Sequence, residues 1–313
     1  MKAAQIKTYG GYEIIEIVDI PQPFPKKGQV LVEVYAASIN PFDWKIRSGY
    51  LKEHISLQFP VTLGGDFSGV ITEVGDEVVE FEKGQDVYGT ALIIGGGSGA
   101  FAQYASANVK NISKRPKSIS FEASAALPLV GSSAVQAIEE HIGIQSGQKI
   151  LIHGGAGGIG HIAIQLAKAH GAYVATTASA NDTEYVRSLG ADEVIDYKSE
   201  QFEEKLKEYD AVYDTVGGEP TNKSFLVLKQ GGILLSMLGQ PDQKLAEEYG
   251  VKAIGQGTHT NSEHLKRLAE LIDSKKIIVS IDKIFPLDQV KEAFKYQEEH
   301  HPRGKVVLQV KSP

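Results

Sequence analysis

The sequence predicts a two-domain α/β protein, a β-rich barrel domain followed by a doubly wound parallel sheet of about six strands. Three observations carry this expectation. The chain has 313 residues, which suits about two domains, each large enough for a core of its own. Its texture changes partway: short glycine-punctuated strands fill residues 1 to about 110, whereas strand and helix alternate regularly after residue 124. Finally, "HGGAGGIGHIAIQLAKAHG" at residues 153–171 packs five glycines into eight residues and then becomes an apolar helical stretch.

Composition narrows the class. Hydrophobic residues make up 42% and charged residues 23%, ordinary for a soluble globular chain. "MKAAQIKTYGGYEIIEI" has no apolar stretch of signal-peptide type, and no run approaches the roughly 18 apolar residues of a membrane span. The C-terminal "KVVLQVKSP" matches no retention or lipidation signal. A cytoplasmic protein with no membrane partner is expected. The formal charge of −7 argues against nucleic acid as a partner. The chain has no cysteine, which excludes disulfides and thiolate metal sites.

The elements follow in order. "KAAQIKTYG" and "YEIIEIVDI" flank Gly10-Gly11 and predict a hairpin with a two-residue turn. "GQVLVEVYAASI", "GDFSGVITEVGDEVVEF" and "GQDVYGTALI" continue as short strands of a compact barrel or sandwich. "ASAALPLVGSSAVQAIEEHI" reads as helix broken at its Pro-Leu-Val-Gly. The alternation then runs from strand "QKILIHG" and helix "GHIAIQLAKAHG", closed by Gly171, to strand "YVATTA" and helix "DTEYVRSLG". It continues with strand "EVIDY", helix "EQFEEKLKEY", strand "AVYDTVG" and helix "PTNKSFLVLKQG". Strand "ILLSMLG", helix "DQKLAEEYG" and a sixth strand, "VKAIGQGT", complete it. Such units imply a parallel sheet covered on both faces. "SEHLKRLAELIDS", "FPLDQVKEAFKYQEEH" and "GKVVLQV" do not extend the pattern and are expected to pack back on the first domain. The domains are placed at residues 1–123, 124–260 and, returning to the first, 261–313.

Gly155, Gly157 and Gly160 form G-x-G-x-x-G between the first strand of the alternation and its helix, the context that a Rossmann dinucleotide site requires. Gly155 permits the turn, Gly157 lets backbone approach a pyrophosphate, and Gly160 allows close helix–sheet packing. Ala156, Gly158 and Ile159 complete the loop, whose N–H groups and helix N-terminus favour phosphate. An NAD site carries an acid about 20 residues on, to bind the ribose 2′-hydroxyl. Here "TTASAN", residues 176–181, has none, and Ser179 lies at its centre. Small hydroxyl and amide groups there favour NADPH, although the stretch has no Arg or Lys and Asp182 follows at once.

"GQKILIHGGAGGIGHIAIQLAK" resembles the cofactor pattern of the quinone oxidoreductases and zeta-crystallin, zinc-independent members of the medium-chain dehydrogenase/reductase superfamily. The similarity extends over the whole chain and is nearest to the alkenal/enone and quinone reductases. "INPFDWKIRSGY" resembles the segment that holds a catalytic zinc cysteine in zinc alcohol dehydrogenases, with Asn40 in the cysteine's place. "LGGDFSGVITEVG" resembles their Gly-His-Glu segment, with Gly65 and Asp66 instead of His and Glu. "LPLVGSSAVQAI", "DEVIDY", "VYDTVGG" and "RGKVVLQV" also resemble family motifs. The resemblance implies a GroES-like first domain, no metal, and an edge-to-edge homodimer through the sixth strand.

The expected chemistry follows from the missing metal. Alcohol oxidation and reduction of an isolated carbonyl both profit from a Lewis acid on oxygen. A metal-free hydride transfer suits quinones and α,β-unsaturated carbonyls, which spread the incoming charge themselves. By resemblance, Asn40 lies near nicotinamide and substrate as a hydrogen-bond donor and cofactor contact. Tyr50 is a candidate proton donor or oxyanion partner. Ser133, Tyr197, Gly239 and Lys305 resemble cofactor contacts. Asp43 and Lys45 read as an ion pair shaping the loop, and His153, His161, His300 and His301 as packing or solvated residues. The expected function is NADPH-dependent reduction of quinones or enones. The alternatives are a non-catalytic dinucleotide-binding protein of crystallin or RNA-binding type, and a ketone or alcohol dehydrogenase.

Overall fold

A computed structural model describes residues 1–312. Its strands, β1 to β16 in chain order, are Lys2–Ile6, Glu16–Asp19, Gln29–Ser38, Val61–Thr62, Asp66–Val74, Asp86–Thr90, Tyr104–Asn108, Ile112–Lys114, Lys149–His153, Tyr173–Ala178, Glu193–Asp196, Tyr209–Asp214, Leu228–Ser236, Lys252–Gly255, Ile281–Pro286 and Lys305–Gln309. Two compact units contain them: Met1–Leu129 with Thr260–Asp273 and residues 280 onward, and Val130–His259 with Ser274–Val279.

These joins differ from the sequence-based boundaries at two places. Residues 124–129 stay with the first unit, where the Leu129 N–H donates to Asp66 Oδ2 at 3.0 Å and Ser68 Oγ donates to the Phe121 carbonyl at 2.5 Å. Residues 274–279 belong to the second. There the Gln165 side chain pairs with Ile278 as a strand would, at 3.0 Å to its carbonyl and 2.8 Å from its N–H.

The first unit has a three-stranded antiparallel sheet, β2-β1-β4, and a larger one in the order β15-β16-β3-β5-β6-β8, with β7 also paired to β3. The strand β3 organises it. Val30, Leu31, Val32 and Val34 are all fully buried, a near-continuous aliphatic run covered on both faces. A single core joins Ala4, Ile6 and Leu63 of the small-sheet region to Val32, Phe67, Phe101, Phe294 and Leu308. The end of the chain enters this core because β16 pairs antiparallel with β3, Val307 opposite Ser38.

β1 and β2 do pair antiparallel, from Lys2↔Asp19 to Gln5↔Glu16. Their connection is not the two-residue turn expected at Gly10-Gly11. It is a longer loop with a 3-10 turn at Tyr12–Ile14, because Gly10 is tied to the helix Pro41–Ser48. Its N–H donates to the Arg47 carbonyl at 3.1 Å, and its carbonyl accepts from Arg47 Nε at 3.2 Å.

The second unit is a six-stranded parallel sheet ordered β11-β10-β9-β12-β13-β14, the doubly wound arrangement with its switch point at the C-terminal ends of the central strands. Pro128 does not break a helix as the sequence suggests. It starts one, Pro128–Val135, since a proline costs nothing in the first turn. The helix read in "EQFEEKLKEY" is only Phe202–Lys205, because Leu206 turns extended, and its side chain is buried in the core with Phe202. No helix among the described residues is long and apolar enough to cross a membrane.

Candidate active site

The glycine loop leaves β9 at His153 and enters the helix Gly160–Ala169. Its glycines have different physical reasons. A Cβ on Gly155 would lie 2.1 Å from Thr176 Oγ1, and one on Gly160 would lie 2.2 Å from the Gly154 carbonyl oxygen. Both positions are closed by the protein's own packing. A Cβ on Gly157 would meet only the Gly154 oxygen, at an ordinary 3.4 Å. Its open side is therefore room that a packed loop does not need. The N–H groups of Ala156, Gly158 and Ile159 find no acceptor among the described residues. Bare backbone, free donors and a helix N-terminus together fit a pyrophosphate.

The segments that follow β10, β11 and β13 hold three of the other predicted cofactor residues, Ser179, Tyr197 and Gly239. Ala178 of β10 pairs with Asp196 of β11, so Ser179 and Tyr197 leave adjacent strands side by side. Tyr197 is half exposed, and its N–H donates to the Ala178 carbonyl at 3.2 Å. Gly239 follows β13 with φ +120 and open space at its Cβ position. Ser133 is buried, its hydroxyl 2.6 Å from that of Thr258. In the 2′-loop, Ser179 Oγ donates to Asp182 Oδ2 at 2.5 Å, so a carboxylate is fixed just past the acid-free stretch.

His153 is a packing residue, as expected. Its Nδ1 lies 3.1 Å from Thr177 Oγ1 and its Nε2 3.0 Å from Ser224 Oγ, and burial pushes its pKa down to about 4. His161 is buried with Nδ1 3.1 Å from the Gly157 carbonyl, and His300 stacks on Tyr296.

Lys305 is also among the predicted cofactor contacts. It lies in the first unit at the head of β16, 3% exposed, with Nζ 2.6 Å from the Ile39 carbonyl and bonded to Asn40 Oδ1. Asn40 is 2% exposed and caps the helix Pro41–Ser48. Its Nδ2 donates to Asp66 Oδ2 at 2.9 Å, and its backbone N–H donates to Asp43 Oδ2 at 2.7 Å. The expected Asp43–Lys45 ion pair is therefore absent. Asp43 turns inward to the cap, and the Lys45 ammonium lies 5.8 Å from the Trp44 ring and 5.9 Å from the Tyr50 ring. Tyr50 is 69% exposed, edge-on to Trp44. No hydrogen bond joins it to Asn40. An apolar recess opens beside Asp43, lined by Phe42, Ile46, Leu63, Leu92, Ile93 and Ile94.

Burial dominates the electrostatics of this group. It pushes Asp43 up to about 7, opposed by the Asn40 N–H and reinforced by Asp66. It pushes Asp66 up to about 6, opposed by Lys305, and it draws Lys305 down to about 8 against the pull of both carboxylates. A carboxyl raised in the folded state binds more protons than its unfolded counterpart. Its contribution therefore weakens the fold as pH rises from near 4 to its folded pKa. The stability of Asp43→Asn relative to the parent should accordingly grow between about pH 4 and 7. Denaturant unfolding of both proteins across that range checks it, and a constant difference contradicts the assignment.

The comparisons identify the family. Residues 26–117 match the family model for the alcohol dehydrogenase GroES-like domain, and residues 189–308 match that for zinc-binding dehydrogenases. The chain has no cysteine, and among the described residues no three His, Asp or Glu side chains are grouped to hold a metal. The chain is 33% identical to a chloroplast envelope quinone oxidoreductase homolog of Arabidopsis thaliana, over 99% of this chain and 98% of that one. It is 36% identical to the chloroplastic NADPH-dependent alkenal/one oxidoreductase of the same plant, over 98% of this chain and 79% of the relative. The solved quinone oxidoreductase from Coxiella burnetii superposes with a TM-score of 0.90 at 35% identity, covering 99% of both chains. A GroES-like unit, a Rossmann unit and whole-length relatives place the chain in the zinc-independent quinone and alkenal/enone oxidoreductase family of the medium-chain dehydrogenases/reductases.

Proposed function

We propose that this protein reduces quinones or α,β-unsaturated carbonyls with NADPH, by hydride transfer and without a metal. The observation that carries the reading is the Asn40 carboxamide, held between Lys305 and Asp66 where a metal-dependent relative has its cysteine. A neutral amide cannot acidify an alcohol, but it can donate a hydrogen bond to an oxygen that gains negative charge. That is sufficient for a conjugated acceptor, which delocalises the charge. The relatives described above carry the matching names, quinone oxidoreductase and NADPH-dependent alkenal/one oxidoreductase.

The cofactor supplies the hydride, and the protein supplies binding, orientation and electrostatics. Ala156, Gly158 and Ile159 would hold the pyrophosphate on their N–H groups beside Gly157. Ser179 and Tyr197 would face the adenosine end, and Ser133 and Gly239 the remainder. Asn40 would orient the acceptor oxygen. Tyr50 remains the candidate proton donor, its exposed hydroxyl in exchange with water. NADPH consumption should be measured with one quinone and one enone in the presence of chelator, beside NADP reduction with simple alcohols. Turnover of either acceptor and none of the alcohols is expected. Cofactor binding without turnover would instead favour the non-catalytic reading, and alcohol oxidation the dehydrogenase.

Ser179 is central to the choice of NADPH. A 2′-phosphate there meets the hydroxyl that now bonds Asp182. Ser179→Asp adds a second carboxylate and should erase the NADPH preference. Like charges at this range cost about 1–3 kcal/mol, roughly ten- to a hundredfold in affinity. Titration of both cofactors decides it, and tighter NADH binding by the parent overturns the reading of the loop.

A cytoplasmic homodimer completes the proposal. β14 is the edge of the parallel sheet, and an edge strand pairs readily with a second copy of itself. Sedimentation at micromolar concentration should give twice the chain mass, and a monomer mass removes the pairing.

A further inference from the structure

Lys305 is the buried charge that the proposed reaction leaves unexplained. A lysine at the head of a strand normally keeps its ammonium in water. This one is 3% exposed. Three elements enclose it: its own strand β16, the end of β3 leading to Ile39 and Asn40, and β5 through Asp66. The charged groups facing it are Asp66 from β5 and Asp43 from the helix Pro41–Ser48. Burying an ammonium is costly unless hydrogen bonds and opposite charge compensate. Both are present, and both converge on one amide.

That amide has its two ends held by opposite charges. Asn40 Oδ1 accepts from the Lys305 ammonium, which also bonds the Ile39 carbonyl at 2.6 Å. Asn40 Nδ2 donates to Asp66 Oδ2 at 2.9 Å. Asp66 is fixed in turn by the Leu129 N–H at 3.0 Å. Turning the carboxamide over would set its NH2 against the ammonium and its oxygen against the carboxylate, two repulsions in place of two charge-assisted bonds. One orientation is thereby selected. An Asn NH2 carries two hydrogens, and Asp66 takes one. The other makes no hydrogen bond among the described residues. A cation on the amide oxygen draws electron density from the nitrogen and strengthens that donor, as in any polarised hydrogen-bond chain.

We propose that Lys305 is a positioning residue for the reduction: by holding the Asn40 carboxamide oxygen, it fixes and strengthens the N–H that the acceptor oxygen meets. This rests on the function proposed above. It differs from the family resemblance, which placed Lys305 on the cofactor. The two roles separate in kinetics, because a cofactor contact acts on NADPH affinity and a positioning residue acts on turnover through Asn40.

The test is a double-mutant cycle of Lys305→Met and Asn40→Ala, assayed with one enone and NADPH. Lys305→Met should lower kcat roughly ten- to a hundredfold, with KM for NADPH within about twofold of the parent. In the Asn40→Ala background the same change should cost less than about threefold, because the group through which Lys305 acts is already gone. Lys305→Arg, which keeps the charge, should restore much of kcat and move the alkaline fall of the pH profile upward from near 8. If Lys305→Met does not fold, Lys305→Gln carries the same cycle. Equal losses in both backgrounds, or a raised KM for NADPH at unchanged kcat, overturn the proposal.

A second readout needs no turnover. The side-chain NH2 resonances of Asn40, identified by their loss in Asn40→Ala, should exchange with water at least about tenfold faster in Lys305→Met than in the parent. Unchanged exchange overturns the positioning role. A parent protein that reduces neither quinone nor enone overturns the proposed function instead, and the exchange comparison then still decides whether Lys305 fixes the amide.

Discussion

Gly157→Val should abolish useful NADPH binding while the protein stays folded. Among the three glycines of the motif, only this one has its Cβ direction open, with the Gly154 oxygen 3.4 Å away and no positive φ to forbid a side chain. The valine methyls would fill the space beside the free N–H groups of Ala156, Gly158 and Ile159. Excluding a phosphate from charge-assisted bonds costs about 3 kcal/mol or more, at least about a hundredfold in Kd. Gly160→Val gives the opposite pattern. Its Cβ would sit 2.2 Å from the Gly154 oxygen, a backbone atom that cannot step aside. Overpacking of that kind costs about 1–3 kcal/mol or more, so the unfolding midpoint should fall. Fluorescence titration with NADPH and thermal unfolding of both variants separate the cases. Parent-like affinity in a folded Gly157→Val would move the phosphate site elsewhere.

The contrast between those glycines marks what the sequence makes legible. The loop is local, and strand, turn and helix within "HGGAGGIGHIAIQLAKAHG" announce one another. The parallel sheet is legible for the same reason, since each strand–helix unit closes over a few residues. The Asn40 cluster is not local. Asp66 is 26 residues from Asn40, and Lys305 is 265 away. In "RGKVVLQV" nothing local marks the lysine as buried, and the resemblance reads it as a cofactor contact. Only the pairing of β16 between β15 and β3 covers it. Asp43 had a usable signal. An Asn followed three residues later by an acid, just before a helix, resembles a reciprocal cap, and the Asn40 N–H to Asp43 bond follows it. No ion pair forms with Lys45 because helix side chains two residues apart do not face each other. The Gly10-Gly11 turn was likewise locally plausible and globally overridden by the bonds between Gly10 and Arg47.

Asn40→Ala should lower turnover by about one to three powers of ten, the scale of a single polar contact made in a transition state. Its effect on NADPH affinity should stay within about threefold, since the phosphate-binding loop belongs to the other unit and is unaltered. The fold should survive with reduced stability. Alanine removes the side-chain bonds to Lys305 and Asp66, but Lys305 keeps the Ile39 carbonyl and Asp66 keeps the Leu129 N–H. The backbone N–H of residue 40 still donates to the Asp43 carboxylate. Asn40→Asp is the informative companion. It keeps an oxygen for Lys305 but replaces the NH2 donor with a third carboxyl beside Asp43 and Asp66. Turnover should therefore fall at least as far as in alanine, although the substitution is nearly isosteric. Burial among carboxylates should also push the new acid up, so that protonation restores a donor and some activity returns as pH falls. Steady-state reduction of a quinone and an enone by both variants between about pH 5 and 8 measures this. Full turnover by Asn40→Ala with both acceptors would reduce Asn40 to a helix cap and remove the amide from the chemistry.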